Sequence, residues 1–185
     1  MKRYTASFIS AAILALLLTF AAGVGVAEQH QVPVDRAVAV LHPTEGNRAG
    51  GKVMFSLEDD GVRVKAEIEG LPPGKHGFHI HEFGDCTAPD ATSAGGHYDP
   101  EGHPHAGPDH KNRHMGDLGN LEADESGRAG YDRVDNLLVL DGPKSIIGHA
   151  VIVHADEDDF TSQPTGNAGA RLACGVIGIS EKADE

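Results

Sequence analysis

The 185-residue chain carries 15 basic and 28 acidic residues, a formal net charge of −13. So acidic a chain repels nucleic acid and anionic lipid, and no basic stripe offsets that. The length allows one domain plus a targeting segment.

In chain order, Lys2 and Arg3 precede an almost wholly apolar run from Phe8 to Phe20, and Gly25-Val26-Ala27 supplies small residues for cleavage. That order predicts a secretory signal over residues 1–27, with an uncleaved membrane anchor as the alternative. Residues 28–36 are polar, contain Pro33 and read as a flexible leader to a domain over residues 37–185. Short β-like runs follow at Ala37–Leu41, Lys52–Leu57 and Val62–Ile68, the last alternating apolar and charged residues as a half-buried strand does. Asp59-Asp60-Gly61 is a hairpin signal, Leu71-Pro72-Pro73-Gly74 stops the third run, and His76–His81 resumes extended chain. From Glu82 to Gly119 the chain is rich in Gly, Pro, Asp and His with almost no apolar period, and a loop this long is normally functional or disordered. Regular runs return at Leu121–Ala123, Ala129–Val134, Ile146–His154 and Cys174–Ile179. About eight short strands without a convincing helix predict an antiparallel sandwich or barrel.

Histidine is the outlier: twelve in the chain, six of them between His79 and His110. His79 and His81 stand two apart on a predicted strand and therefore share a face. The loop adds His97, His105, His114 and Asp117, a donor set suited to a closed tetrahedral zinc site. His154 ends an apolar strand, and His79, His81, His154 and one more imidazole would suit copper or zinc. Spacing does not show which of these share a metal, and packing histidines or a turn aspartate are the plain alternatives. Cys86 and Cys174 fall in the part expected to be exported, where pairing is permitted, with two free thiols as the alternative.

Six blocks then carry a family resemblance: GFHIHEFGD (77–85), SAGGHYDP (93–100), HAGP (105–108), RHMGDLGN (113–120), VIVHADEDD (151–159) and TGNAGARLACGVIGI (165–179). In this order, across Ala37 to Ser180, they resemble the copper/zinc superoxide dismutases. The resemblance implies an all-β, eight-stranded antiparallel Greek-key barrel or sandwich, immunoglobulin-like, with a long metal-binding loop. It implies one copper on His79, His81, His97 and His154 and one zinc on His97, His105, His114 and Asp117, with His97 shared. Asp158 would link His79 to His105, Arg171 would dock the anion, Thr165 would narrow the channel, and Cys86 would bridge to Cys174. The implied reaction converts two superoxide anions to dioxygen and hydrogen peroxide as copper alternates between +2 and +1, with a proton carried by His97.

The chain departs from that pattern in three places. The connection from Asp158 to Thr165 is short and lacks lysine, so guidance of the substrate is expected to be weaker or to come from elsewhere, with Lys111 and Arg113 as the candidates. Cys86 follows His81 by five residues, with an insertion at 88–93, which looks like the bacterial branch of the family. His103 and His110 are extra, read either as solvated loop residues or as auxiliary metal capture. His76 is expected to pack a strand end, while His30, His42 and His149 receive no role. An exported location, periplasmic or extracellular, follows from the leader, and a homodimer is compatible with the family although no dimer face is legible. The rival functions are a copper carrier or buffer and an inactive scaffold. The carrier would not need Arg171 or Asp158, and the scaffold should have lost a ligand.

Overall fold

The alternating runs fold as strands, and the alternation fixes which side chains turn inward. In the computed structural model the described residues are 33–181. The signal reading at 1–27 and the leader up to residue 32 lie outside them. The strands are β1 (Arg36–Pro43), β2 (Gly50–Glu58), β3 (Gly61–Glu69), β4 (Gly74–His81), β5 (Asp117–Ala123), β6 (Ala129–Asp135), β7 (Ala150–His154) and β8 (Arg171–Ile179). A single 3-10 turn covers Thr92–Ala94. In β1 the buried residues are Ala37, Ala39 and Leu41, and in β3 they are Val62, Val64, Ala66 and Ile68. This is the period of two that a one-sided strand requires.

The strands close into an all-antiparallel barrel in the order β1-β2-β3-β6-β5-β4-β7-β8. After the β2–β3 hairpin the chain crosses to β4, and β6 returns to pair with β3, so the connections are Greek-key rather than up-and-down. The eight-stranded fold class expected from the sequence is therefore present. Phe55, Val64, Phe78, Ile80, Leu121, Val151, Val153 and Ile177 lie in the core. No helix of the described residues is long and apolar enough to cross a membrane.

Two boundaries differ from the sequence reading by four residues. The last strand before the site begins at Ala150 rather than Ile146. Ile146 is fully buried, but the chain turns there: Ile146 N–H donates to Val139, His149 N–H donates to Ile146, and Gly148 has φ +86°. Conversely β5 starts at Asp117, four residues before the predicted run.

β4 and β7 are buried on both faces from His76 to His81 and from Ala150 to His154. The inner face meets the core, and the outer face is covered by the loop between β4 and β5. Ala91 and Ala94 of that loop pack on Ala150, Ile152 and Cys174. The Cys86–Cys174 disulfide, with Cα atoms 5.8 Å apart, fastens the same loop to β8.

Candidate metal centre

The long loop does not hang free; it inserts a short extended piece beside β4. Tyr98 N–H donates to Ile80, Gly116 N–H donates to Tyr98 and Ile80 N–H donates to Gly116, all within 2.9 Å. His97 forms an isolated bridge to His81. These contacts interrupt the β4–β5 register between Gly77 and His79. They bring the His97 ring to 3.9 Å from the His79 ring, centroid to centroid.

Two four-residue groups result, His79-His81-His97-His154 and His97-His105-His114-Asp117, and every member is buried. Within each group one ligand atom per residue lies within 4.8 Å of the others, and His97 belongs to both. These are the only such groups among the described residues. His103 and His110 join neither; His103 Nδ1 stands 3.8 Å from Glu101.

Partner chemistry tests whether metals fit. His81 Nδ1 faces the Gly95 carbonyl at 3.0 Å and His154 Nδ1 faces the Gly169 carbonyl at 3.2 Å. A carbonyl only accepts, so each Nδ1 carries the proton and each Nε2 presents a lone pair. Those two Nε2 atoms face each other at 3.2 Å. Asp158 accepts from His79 Nε2 at 2.8 Å and from His105 Nε2 at 2.9 Å, which leaves both Nδ1 atoms to turn inward. His79 Nδ1, His97 Nε2 and His114 Nδ1 are buried without a hydrogen-bond partner. In the second group the Nδ1 atoms of His97, His105 and His114 converge on Asp117 Oδ1 at 2.8, 3.0 and 3.3 Å. Buried polar atoms rarely stay unpaired, and here the bare ones point at two common centres. The donor sets, imidazole-only and three imidazoles with a carboxylate, are both of the kind that copper and zinc accept.

The electrostatics differ between the two groups. Burial, reinforced by the neighbouring His79, lowers His97 to about 3. Burial also pushes His81 and His154 well below the ordinary range. For His105, burial is outweighed by hydrogen bonds to Asp117 and Asp158, which raise it to about 9. Asp117 and Asp158 resist burial and stay far below the usual carboxylate range because the histidines donate to them.

Arg171 is half-buried at the start of β8, where Nη1 donates to the Ala91 carbonyl at 2.5 Å and Nη2 to the Gly95 carbonyl at 2.6 Å. The loop that covers the two histidine groups therefore also aims the guanidinium. Thr165 is half-buried in the β7–β8 connection. His76 is buried, between the carbonyls of His154 and Pro72. His149 accepts no metal role from its surroundings: it lies over Tyr98 and contacts the Glu82 carbonyl.

One expectation is corrected. Arg113 is 2% exposed and cannot guide a substrate from solvent. Its guanidinium meets Asp135 at 2.5 Å and donates to the carbonyls of Pro108, His114 and Met115. Lys111 is exposed. Sequence reasoning also missed Asn120, whose amide pairs with both the N–H and the carbonyl of Asp158. The nearby GDLGN block contained it, but nothing in the block indicates a partner 38 residues away.

Comparison with known proteins agrees with this geometry. The family described as copper/zinc superoxide dismutase matches residues 49–177. An extracellular Cu-Zn superoxide dismutase of Drosophila melanogaster is 44% identical over 163 residues, covering 83% of this chain and 90% of that protein. The crystal structure of the clock protein EA4 superposes with a TM-score of 0.74 at 46% identity, covering 80% of this chain and 97% of that one. The chain belongs to the copper/zinc superoxide dismutase family. It is an oxidoreductase that dismutes superoxide, with copper and zinc as its cofactors.

Proposed function

We propose that the division of labour within the site follows the two groups described above. His79, His81, His97 and His154 hold copper, and His97, His105, His114 and Asp117 hold zinc. Bound copper supplies a one-electron couple for two successive superoxide anions, and bound zinc supplies a fixed positive charge. The observation that carries this reading is the position of His97, whose two ring nitrogens face the two groups. Its Nε2 is buried and partnerless, suited to hold a proton and hand it to the reduced anion. Asp158 fixes the tautomers of His79 and His105 and so keeps each Nδ1 directed inward. Arg171, held by two loop carbonyls, presents a positive charge to the incoming anion without needing to reorganise. Thr165 narrows the approach.

The finer assignments are proposed alongside. Residues 1–27 act as a signal, 28–36 as a leader and 37–185 as the dismutase domain. Location in the periplasm or outside the cell is supported by the signal-like order of residues and by a disulfide, and the activity there protects the cell envelope. A bacterial-type branch is supported by the position of Cys86 and the residues inserted after it. A homodimer is supported by Val40 and Val176, exposed on the neighbouring strands β1 and β8.

The test is superoxide consumption by the full chain. Removing both metals with a chelator should abolish activity, and restoring copper and zinc should return it. Arg171→Leu, with metal content unchanged, should lower the rate by about tenfold or more. Activity that persists without metals would sink the reading.

A further inference from the structure

Metal ligand His105 lies in the β4–β5 loop, outside any strand, so its backbone has no ladder to fix it. What holds it comes from the other loop. Gln163, in the β7–β8 connection, closes on its peptide groups: His105 N–H donates to Gln163 Oε1 at 2.8 Å, and Gln163 Nε2 donates to the His105 carbonyl at 2.8 Å. A primary amide offers a donor and an acceptor side by side, so it pairs with a peptide as an adjacent strand would. The same connection holds the ring, through Asp158 Oδ1 on His105 Nε2 at 2.9 Å. It also approaches closely at Gly166, where a Cβ would stand 1.9 Å from Asp158 Oδ1 and 2.6 Å from His105 Nε2.

His105 is thus gripped at its peptide and at the far edge of its ring. With both ends fixed, Nδ1 has one direction left, toward Asp117 Oδ1, where the Nδ1 atoms of His97 and His114 also arrive. Loss of either grip lets the ring rotate or retreat from that point.

We propose that Gln163 is a positioning residue for the zinc site. The proposal rests on the reading of His105 as a zinc ligand. Outer partners of metal ligands typically contribute about 10–100-fold in affinity, and Gln163 acts on the backbone of a ligand rather than on its ring.

The experiment compares the full-length wild type with Gln163→Ala, Gln163→Glu and His105→Ala. Zinc affinity is measured by competition with a metallochromic chelator, and the visible spectrum of cobalt(II) placed in the zinc position reports its geometry. Gln163→Ala should bind zinc about 10-fold more weakly or worse and alter the cobalt bands. Gln163→Glu should fall between, because it keeps the acceptor for His105 N–H but sets a second acceptor against the His105 carbonyl. If Gln163→Ala matches wild type in both readouts while His105→Ala loses both, Gln163 has no positioning role. A Gln163→Ala protein that melts at a lower temperature but binds zinc as tightly as wild type would overturn the proposal equally. If His105→Ala also retains wild-type zinc binding and spectrum, the assignment of His105 is what fails.

Discussion

Asp90 stands where its charge works against the anion that Arg171 is proposed to attract. It lines the same surface depression as Arg171, together with Glu45, and its carboxylate interacts with the guanidinium. The Thr92 hydroxyl and N–H donate to Asp90 Oδ1 at 2.7 and 3.0 Å and hold it ionised below the usual carboxylate range. Asn at this position keeps an acceptor for both bonds and removes only the charge. Asp90→Asn should therefore raise kcat/KM at low ionic strength by about twofold, the scale of one solvated unit charge. Stopped-flow rates of the two forms should merge near ~1 M salt, where the screening length is ~3 Å. Asp159 provides a separate pH test. The Ser162 hydroxyl, with the N–H groups of Ser162 and Thr161, holds it at about 2. A carboxylate depressed in the folded state stabilises above its ordinary pKa and ceases to do so as pH falls through about 2. Asp159→Asn should accordingly lower the melting temperature at pH 6 and match wild type near pH 2. His79 and His81 were legible from their two-apart spacing, which dictates a shared face, whereas the grouping of His97, His105, His114 and His154 was implied only by the family resemblance. Arg113 was not legible, because its charge is neutralised by acceptors that only the fold assembles.

Among the elements, β4 and the loop beyond it form one unit. The strand is buried on both faces, because the loop doubles back across its outer side. Arg113 holds that loop to the end of β6: one guanidinium ties Pro108, His114 and Met115 to Asp135, which in turn accepts from Leu137 N–H. Removing one partner leaves a buried charge and several carbonyls unmet. Arg113→Met should lower unfolding stability in urea by about 3–5 kcal/mol with the disulfide intact. Arg113→Lys should recover little, since a single ammonium cannot reproduce the fork. The strand pattern itself was largely legible, because period-two burial in β1 and β3 follows from one face meeting the core. The start of β7 was not. Ile146 is as buried as any strand residue, and hydrophobicity alone does not distinguish a buried turn from a buried strand.

At the scale of the molecule, the run pattern indicated strand number, while the Greek-key order in which strands meet was implied only by the family resemblance. Pairing β6 with β3 and β4 with β7 depends on contacts far apart in the chain, and no local signal encodes them. The amide grips of Asn120 and Gln163 were hidden for the same reason, since each reaches a partner 38 or 58 residues away. Barrel closure carries a consequence for association. With β8 paired to β1, the facing backbone donors and acceptors of those two strands are taken up within the barrel, whereas β5 and β6 meet at one pair, Ala123 and Ala129. At the β1–β8 face, where Val40 and Val176 are exposed, a second copy therefore cannot extend the sheet as an added ribbon. It can dock only side chain against side chain, so the twofold partnership proposed above must be specified by surface residues and could be dissolved by changing them while the ring itself stays whole.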